Sequence, residues 1–566
     1  MREEAVAISA ETIDRLNREC QGIPLSDERV TELPIELGQL HAAVEAARPD
    51  HDFDRLPASL EQALHALRTT EDGAHADADT GSTRDAGAGA TGGTDEIAAL
   101  SLCEAADAVA SGELSATDLV EAALVRIDRL DGQLHAFIRL DGEDALARAK
   151  EMDRNRGRDG AAGPLAGVPL AHKDMYYRAG KVSSCGSKIR REFRPAATAT
   201  VLQRLDAAGA VDLGGLAMVE FAMGPHGFNA HLPRCRNVWD FERIPCGSSS
   251  GSGTAVAGRL VYAALGSDTG GSIRCPAAAN GVTGINPTQG RVSRFGCMPM
   301  SWSLDVMGPL ARTVRDCARV LGVIAGADEN DATTSAEPVP DYEATIEQSL
   351  RGVRIGIPEG YFDEDLDPVV AAAIEATHAV FAGLGATLVP VAMPASLDTV
   401  SAIHPLLMKC EGAANHLPWK RAQDEDYSDE VGKRLQAGFF VPATDYINAL
   451  QYRAHALRTF ADAVFGACDA LLTPVLPMPT PTLADTAYRD GPAYLKMVVG
   501  LTRNTRVVNY LGLPALSVTC GFTPDGMPTS FQLIGRPFAE ALLFRLGHQY
   551  QRETDWHRRR PTALTA

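Results

Sequence analysis

The 566-residue sequence has no surplus of positive charge, no paired cysteines and no long apolar run, and each absence closes off a class of function. Its 53 Lys and Arg stand against 73 Asp and Glu, a formal net charge of -20. It therefore lacks the concentrated cations that grip a phosphate backbone, and no nucleic-acid partner is expected. The eleven cysteines are scattered singly, without the C-x-x-C pairs of zinc or redox sites. They are expected to be reduced and mostly buried, with no metal and no cofactor implied. No apolar stretch approaches the roughly 18 residues of a membrane span. The opening MREEAVAISAET lacks a basic segment followed by an apolar one, so a cytoplasmic address without membrane contact is expected.

A composition of 45% hydrophobic and 22% charged residues is that of a globular chain, and 52 Gly with 33 Pro predict many tight turns. The length predicts two structural units, or one large α/β unit with an appendage. Residues 71–95 contain no Val, Ile, Leu, Met or aromatic residue and cannot contribute to a core, so they read as a flexible linker. That divides the chain into an N-terminal helical segment (1–70), the linker (71–95) and a main domain (96–566). In the first part Ile13, Leu16 and Cys20 fall on one helical face, and Val30, Leu33, Leu37, Leu40 and Val44 continue at intervals of three and four. Pro34 and Gly38 interrupt the second pattern, which argues for a later start to that helix. So small an apolar complement predicts docking on the main body or on a partner.

Ser101-x-x-Glu104 and Ser115-x-x-Asp118 have the form of capping boxes, so helices open the main domain. Short apolar runs at 353–357, 387–391, 471–475, 515–518 and 531–534 alternate with helical stretches. The expected fold class is α/β, a mixed central β-sheet covered by α-helices.

Two Gly/Ser-rich loops carry the chemistry. Residues 245–254 read PCGSSSGSGT and residues 266–276 read GSDTGGSIRCP. A bare run of this kind would suit a linker, but the intervening AVAGRLVYAALG reads as buried helix and strand. A phosphate cradle is disfavoured because no Gly-Lys-Ser/Thr ending is present. In Gly270-Gly271-Ser272, backbone amides without side-chain cover lie next to a hydroxyl, which is what a developing oxyanion requires. His226 and His231 lie near these loops, but loop histidines are common, and a Ser-His-Asp triad is not expected.

Taken together, GVPLAHKDMYYRAG (167–180), EFAMG (220–224), PCGSSSGSGTAVAG (245–258), GSDTGGSIRCPAAANGVTGINPT (266–288), DVMGPLARTVRD (305–316) and LGLPALSVTCGFTPDGMPTSFQLIGRPF (511–538) resemble the amidase signature family. The resemblance spans roughly residues 97–560. It implies the amidase signature fold and a Ser-cisSer-Lys triad of Ser272 as nucleophile, Ser248 as proton relay and Lys173 as base. It also implies a cis Gly247-Ser248 bond, oxyanion donors at Thr269, Gly270, Gly271 and Ser272, and Met223 beside the substrate. A lysine is a base only when neutral, so Lys173 must be shielded enough to bring its pKa well below about 10.4. Asp174, Asp268 and Arg274 read as loop anchors, and Cys246 and Cys275 as small packing residues. Cys246 and Ser250 stand where the family more often has glycine, so Ser249 and Ser250 compete with Ser248 for the relay. The acyl pocket is expected from residues 395–460, including Trp419 and Tyr446.

The activity implied is hydrolysis of a small carboxamide C–N bond through an acyl-enzyme, in a homodimer. Carbamate, hydrazide or ureido-acid hydrolysis, the glutaminase subunit of a tRNA-dependent amidotransferase, and a non-catalytic scaffold are the alternatives. The span GIPLSDERVTELPIELGQLHAAVEA is similar to GatC-like wrapping subunits, which implies that the N-terminal segment is a fused equivalent.

Overall fold

Eleven strands form one sheet in the computed structural model, which describes residues 8–48, 60–68, 93–156, 163–486, 492–561 and 564. In chain order they are β1 (Phe137–Leu140), β2 (Pro169–Lys173), β3 (Val211–Leu216), β4 (Ala263–Asp268), β5 (Thr283–Asn286), β6 (Val306–Ala311), β7 (Arg354–Glu359), β8 (Thr387–Ala392), β9 (Ala470–Pro474), β10 (Ala515–Phe522) and β11 (Pro528–Gly535). Their order across the sheet is β1-β3-β2-β4-β6-β5-β10-β11-β9-β7-β8. The sheet is mixed: β2 runs parallel to β3 and β4, β7 runs parallel to β8 and β9, and the other pairs are antiparallel.

Both faces are covered, and the pleat shows it. On β4, Ala263 and Leu265 join one apolar cluster while Ala264 between them joins another; Leu170 and Ala171 on β2 divide in the same way. Burial on both sides explains why these strands read as continuous small and apolar runs rather than as an alternation. The five strands expected from sequence form within a few residues of their expected bounds. Both capping boxes form: Ser101 Oγ accepts from Glu104 N at 3.1 Å, and Ser115 Oγ accepts from Asp118 N at 3.0 Å. Among the described residues no helix is long and apolar enough to cross a membrane.

The N-terminal helices pack on the main body. The helix Asp27–Ala47 buries Leu33, Leu37, Leu40 and Val44 and starts at its Ser26 cap, earlier than Pro34 and Gly38 suggest. Proline inside a helix costs about 3 kcal/mol. Here the buried apolar stripe, against Phe440 for Leu33 and Leu37, outweighs that cost. Cys20 departs from expectation: a π-helical turn, Asn17–Gln21, rotates it off the face of Ile13 and leaves it exposed. Polar contacts secure the docking, including Arg29 Nε to Gln436 Oε1 at 2.9 Å and His41 Nδ1 with Asp445 Oδ2 at 2.9 Å. Most of the expected linker lies outside the described residues; its last residues, Gly93 to Asp95, instead cap and begin the short helix Thr94–Ile97.

Candidate active site

The parallel strands β2 and β4 lie side by side and end at the same place, with Lys173 last on β2 and Ser267-Asp268 last on β4. Ligand sites in α/β sheets favour the carboxyl ends of such strands. Lys173 is fully buried. Its Nζ donates to Ser248 Oγ at 2.7 Å and to Ser267 Oγ at 2.8 Å, and no carboxylate among the described residues lies within ion-pair distance. Burial disfavours the ammonium and pulls its pKa down to about 7, against the opposing charges of Asp305 and Asp268. Near neutral pH, roughly half of this side chain is therefore a free amine.

Ser248 follows a cis peptide bond from Gly247. Its carbonyl accepts from Val219 N at 3.1 Å, which ties the loop to the EFAMG segment. Gly247 is packed so closely that a Cβ would sit 2.8 Å from Val219 Cγ2 and 2.9 Å from the Gly224 carbonyl oxygen. Gly247 to Gly251 also fits a G-x-S-x-G pattern centred on Ser249. Ser249 is nevertheless buried, its Oγ donating to the Ser267 carbonyl at 3.3 Å, and Ser250 Oγ donates to the Ala217 carbonyl at 3.4 Å. Of the three serines only Ser248 touches Lys173.

Ser272 is partly exposed and lines a cavity of about 200 Å³. No hydrogen bond joins it to Ser248, so the structure brings Lys173 and Ser248 into contact and leaves Ser272 unbonded to either, on the wall of the cavity. The loop before it is held from behind. Asp268 accepts from Gly271 N at 2.5 Å, Ile273 N at 3.1 Å and Arg274 Nε at 3.1 Å, while Arg274 reaches Gln532 and Asn509. Asp268 and Arg274 are both fully buried. Burial acts to raise the Asp268 pKa, but the Arg274 charge and these donors hold it below the usual carboxylate range. Gly271 therefore differs from its expected place among the oxyanion donors, because its N–H is engaged by this carboxylate. The amides of Thr269, Gly270 and Ser272 make no such bond among the described residues. Gly271 has φ +132°, and a Cβ there would lie 2.3 Å from Thr505 Oγ1. His404 shares a close contact with the Thr269 carbonyl oxygen at 2.8 Å; burial lowers its pKa to about 3, so it is neutral and donates from Nε2.

Met223 lines the cavity, as do His404, Met408 and Leu435 from the stretch 395–460. Trp419 and Tyr446 do not. Trp419 stacks on Phe221 with centroids 5.6 Å apart, and the Tyr446 hydroxyl donates to Glu411 at 3.0 Å. His226 and His231 are bonded to Glu430 and Glu220 respectively, away from Ser272. Cys246 and Cys275 are packed in an apolar cluster with Ala278 and Val475. A larger cavity, about 400 Å³, opens beside the helix Leu60–Ala66 and contains none of Lys173, Ser248 or Ser272.

Sequence reasoning missed Ser267, Asp305, His404 and Arg506. Ser267 lies inside the GSDTGGS loop and could have been flagged as a second hydroxyl. Asp305 opens the DVMGPLARTVRD motif and could have been flagged with it, whereas His404 and Arg506 sit on helices whose proximity to the loops depends on long-range packing.

The family model described as Amidase matches residues 118–544. The A subunit of the glutamyl-tRNA(Gln) amidotransferase of Chloroflexus aggregans is 42% identical over 83% of this chain and 100% of its own length. Among solved structures, the peptide amidase of Stenotrophomonas maltophilia is 32% identical with a TM-score of 0.70, over 81% of this chain and 98% of that one. A chain from a vestigial protein complex tied to the origins of an s-triazine catabolic enzyme is 34% identical with a TM-score of 0.74, over 80% and 98%. With its strand-end lysine, paired glycine loops and two-faced mixed sheet, the chain belongs to the amidase family.

Proposed function

We propose that this chain hydrolyses a carboxamide C–N bond through an acyl-enzyme on Ser272. The observation that carries the reading is Lys173, a fully buried amine bonded to two hydroxyls and, among the described residues, to no carboxylate, at the end of the strand pair whose following loop carries Ser272 on a cavity wall. Neutral Lys173 takes the Ser248 proton while Ser248 takes that of Ser272, and Ser272 Oγ adds to the substrate carbonyl. The relay requires Ser248 and Ser272 to close into contact, as catalytic hydrogen bonds often do only in the substrate complex. The oxyanion is received by the amides of Thr269, Gly270 and Ser272, that of Gly271 being held by Asp268. Collapse breaks the C–N bond, the departing nitrogen takes the proton back through Ser248, and water hydrolyses the ester by the same route.

The relatives support two readings of the substrate. The A subunits of glutamyl-tRNA(Gln) amidotransferases match at 39–42% identity over nearly their whole length, which supports a glutaminase feeding ammonia to an amidotransferase. The likeness to a peptide amidase supports a hydrolase acting alone. In either case the leading helices act as a fused GatC-like element. The test is fluorophosphonate labelling of Ser272 in the intact chain, expected to be lost in Lys173→Ala, together with ammonia release from glutamine with and without aminoacyl-tRNA. Labelling that persists in Lys173→Ala would overturn the mechanism, and glutamine hydrolysis stimulated by aminoacyl-tRNA would select the amidotransferase role.

A further inference from the structure

Three cations line the Ser272 cavity, and no Asp or Glu does among the described residues that line it. Two of the three are already matched. Lys409 pairs with Glu36 of the docked N-terminal helix, and Arg434 pairs with Glu430 at 2.7 Å. Arg506 is different. It is only 5% exposed, and its Nε and Nη2 donate to the carbonyls of Thr502 and Val499 in its own helix. Among the described residues Nη1 donates to nothing, and no carboxylate lies within ion-pair distance. The Arg506 Cβ lies 3.6 Å from where a Cβ on Gly270 would sit, which sets this side chain beside the loop that carries Ser272.

A guanidinium removed from water without a counter-ion is costly, and the cost is recovered when an anion binds in its place. A substrate ammonium group, in contrast, would meet cations and no acid. At about 200 Å³ the cavity is smaller than those that take drug-sized ligands, so the charged group and the scissile amide must belong to one compact molecule.

We propose that Arg506 is a specificity residue that binds a carboxylate of the substrate, making the preferred substrate a small anionic amide without an ammonium group. This rests on Ser272 as the nucleophile, narrows the substrate class, and sides with the hydrolase acting alone against the glutaminase reading, since free glutamine carries an ammonium group. Glutaramate, glutamine and valeramide form a suitable probe set: the first two differ by the ammonium, and the first and third by the carboxylate. Each is used to protect Ser272 from fluorophosphonate labelling in the full chain.

Glutaramate should protect at concentrations roughly tenfold or more below those of glutamine and valeramide, the worth of one buried charge-assisted contact. Arg506→Gln should remove the advantage of glutaramate over valeramide, and Arg506→Lys should restore part of it. Equal protection by valeramide or glutamine, absence of protection by glutaramate, or an unchanged ratio in Arg506→Gln would overturn the assignment. A serine that never labels would refute the nucleophile itself, which is a separate failure.

Discussion

Lowering the pH through 7 should silence Ser272, because the proposed base, Lys173, is an amine whose burial sets its titration there. With an ordinary lysine pKa near 10.4, only about one molecule in 2,500 would hold a neutral amine at pH 7. A value of about 7 makes that fraction roughly one half, a gain on the order of a thousandfold in competent base. The labelling rate of Ser272 by a fluorophosphonate, whose own reactivity does not titrate in this range, should rise about tenfold per pH unit up to 7 and level off above it. At pH 5 it should be about one hundredth of its plateau. Stability gives a second readout with the opposite cost. Folding strips the proton from Lys173, so between pH 7 and about 10.4 the unfolded chain binds more protons, and stability rises with pH by about 1.4 kcal/mol per unit. In Lys173→Met that contribution vanishes, so the wild type should gain on the variant from pH 7 to 9 by denaturant titration. A labelling profile flat from pH 5.5 to 8, or one still climbing at pH 9, would refute the reasoning.

Two further outcomes follow from the loop behind the serine. Gly271→Ala places a Cβ 2.3 Å from Thr505 Oγ1 at φ +132°, so the loop must shift. Turnover should fall about a hundredfold with the circular dichroism spectrum unchanged, and full activity would show that the loop tolerates the displacement. Asp268→Asn leaves Arg274 buried without its counter-charge, and the denaturation midpoint should drop by the equivalent of about 3–5 kcal/mol; a change below 1 kcal/mol would mean that Gln532, Asn509 and backbone carbonyls suffice for Arg274.

Much of the site was legible because its chemistry is local in the chain. Lys173, Ser248 and Ser272 each sit in a motif whose glycines record how closely the backbone must approach its neighbours, and strand alternation with capping boxes marked the α/β core. What the sequence could not disclose were facts of distant packing. The amide of Gly271 faces inward because Asp268 is pulled into place by Arg274 and Asn509, the latter 241 positions away. Trp419 and Tyr446 lie in the right region, yet the rotation of the long helix Ser396–Ala422 presents His404 and Met408 to the cavity instead. Pro34 misled for a related reason, since local propensity carries no record of the surface against which a helix is pressed.

Glu36 belongs to a helix that ends at Ala47, well before the main domain begins at residue 96, yet its carboxylate pairs with a lysine that lines the Ser272 cavity. The appended segment thus does more than cover apolar surface: it tunes the electric field that an incoming molecule meets. A chain trimmed to residues 96–566 would carry an extra uncompensated positive charge on that cavity wall. Its affinities would then differ from those of the whole protein even if every catalytic atom stayed in place.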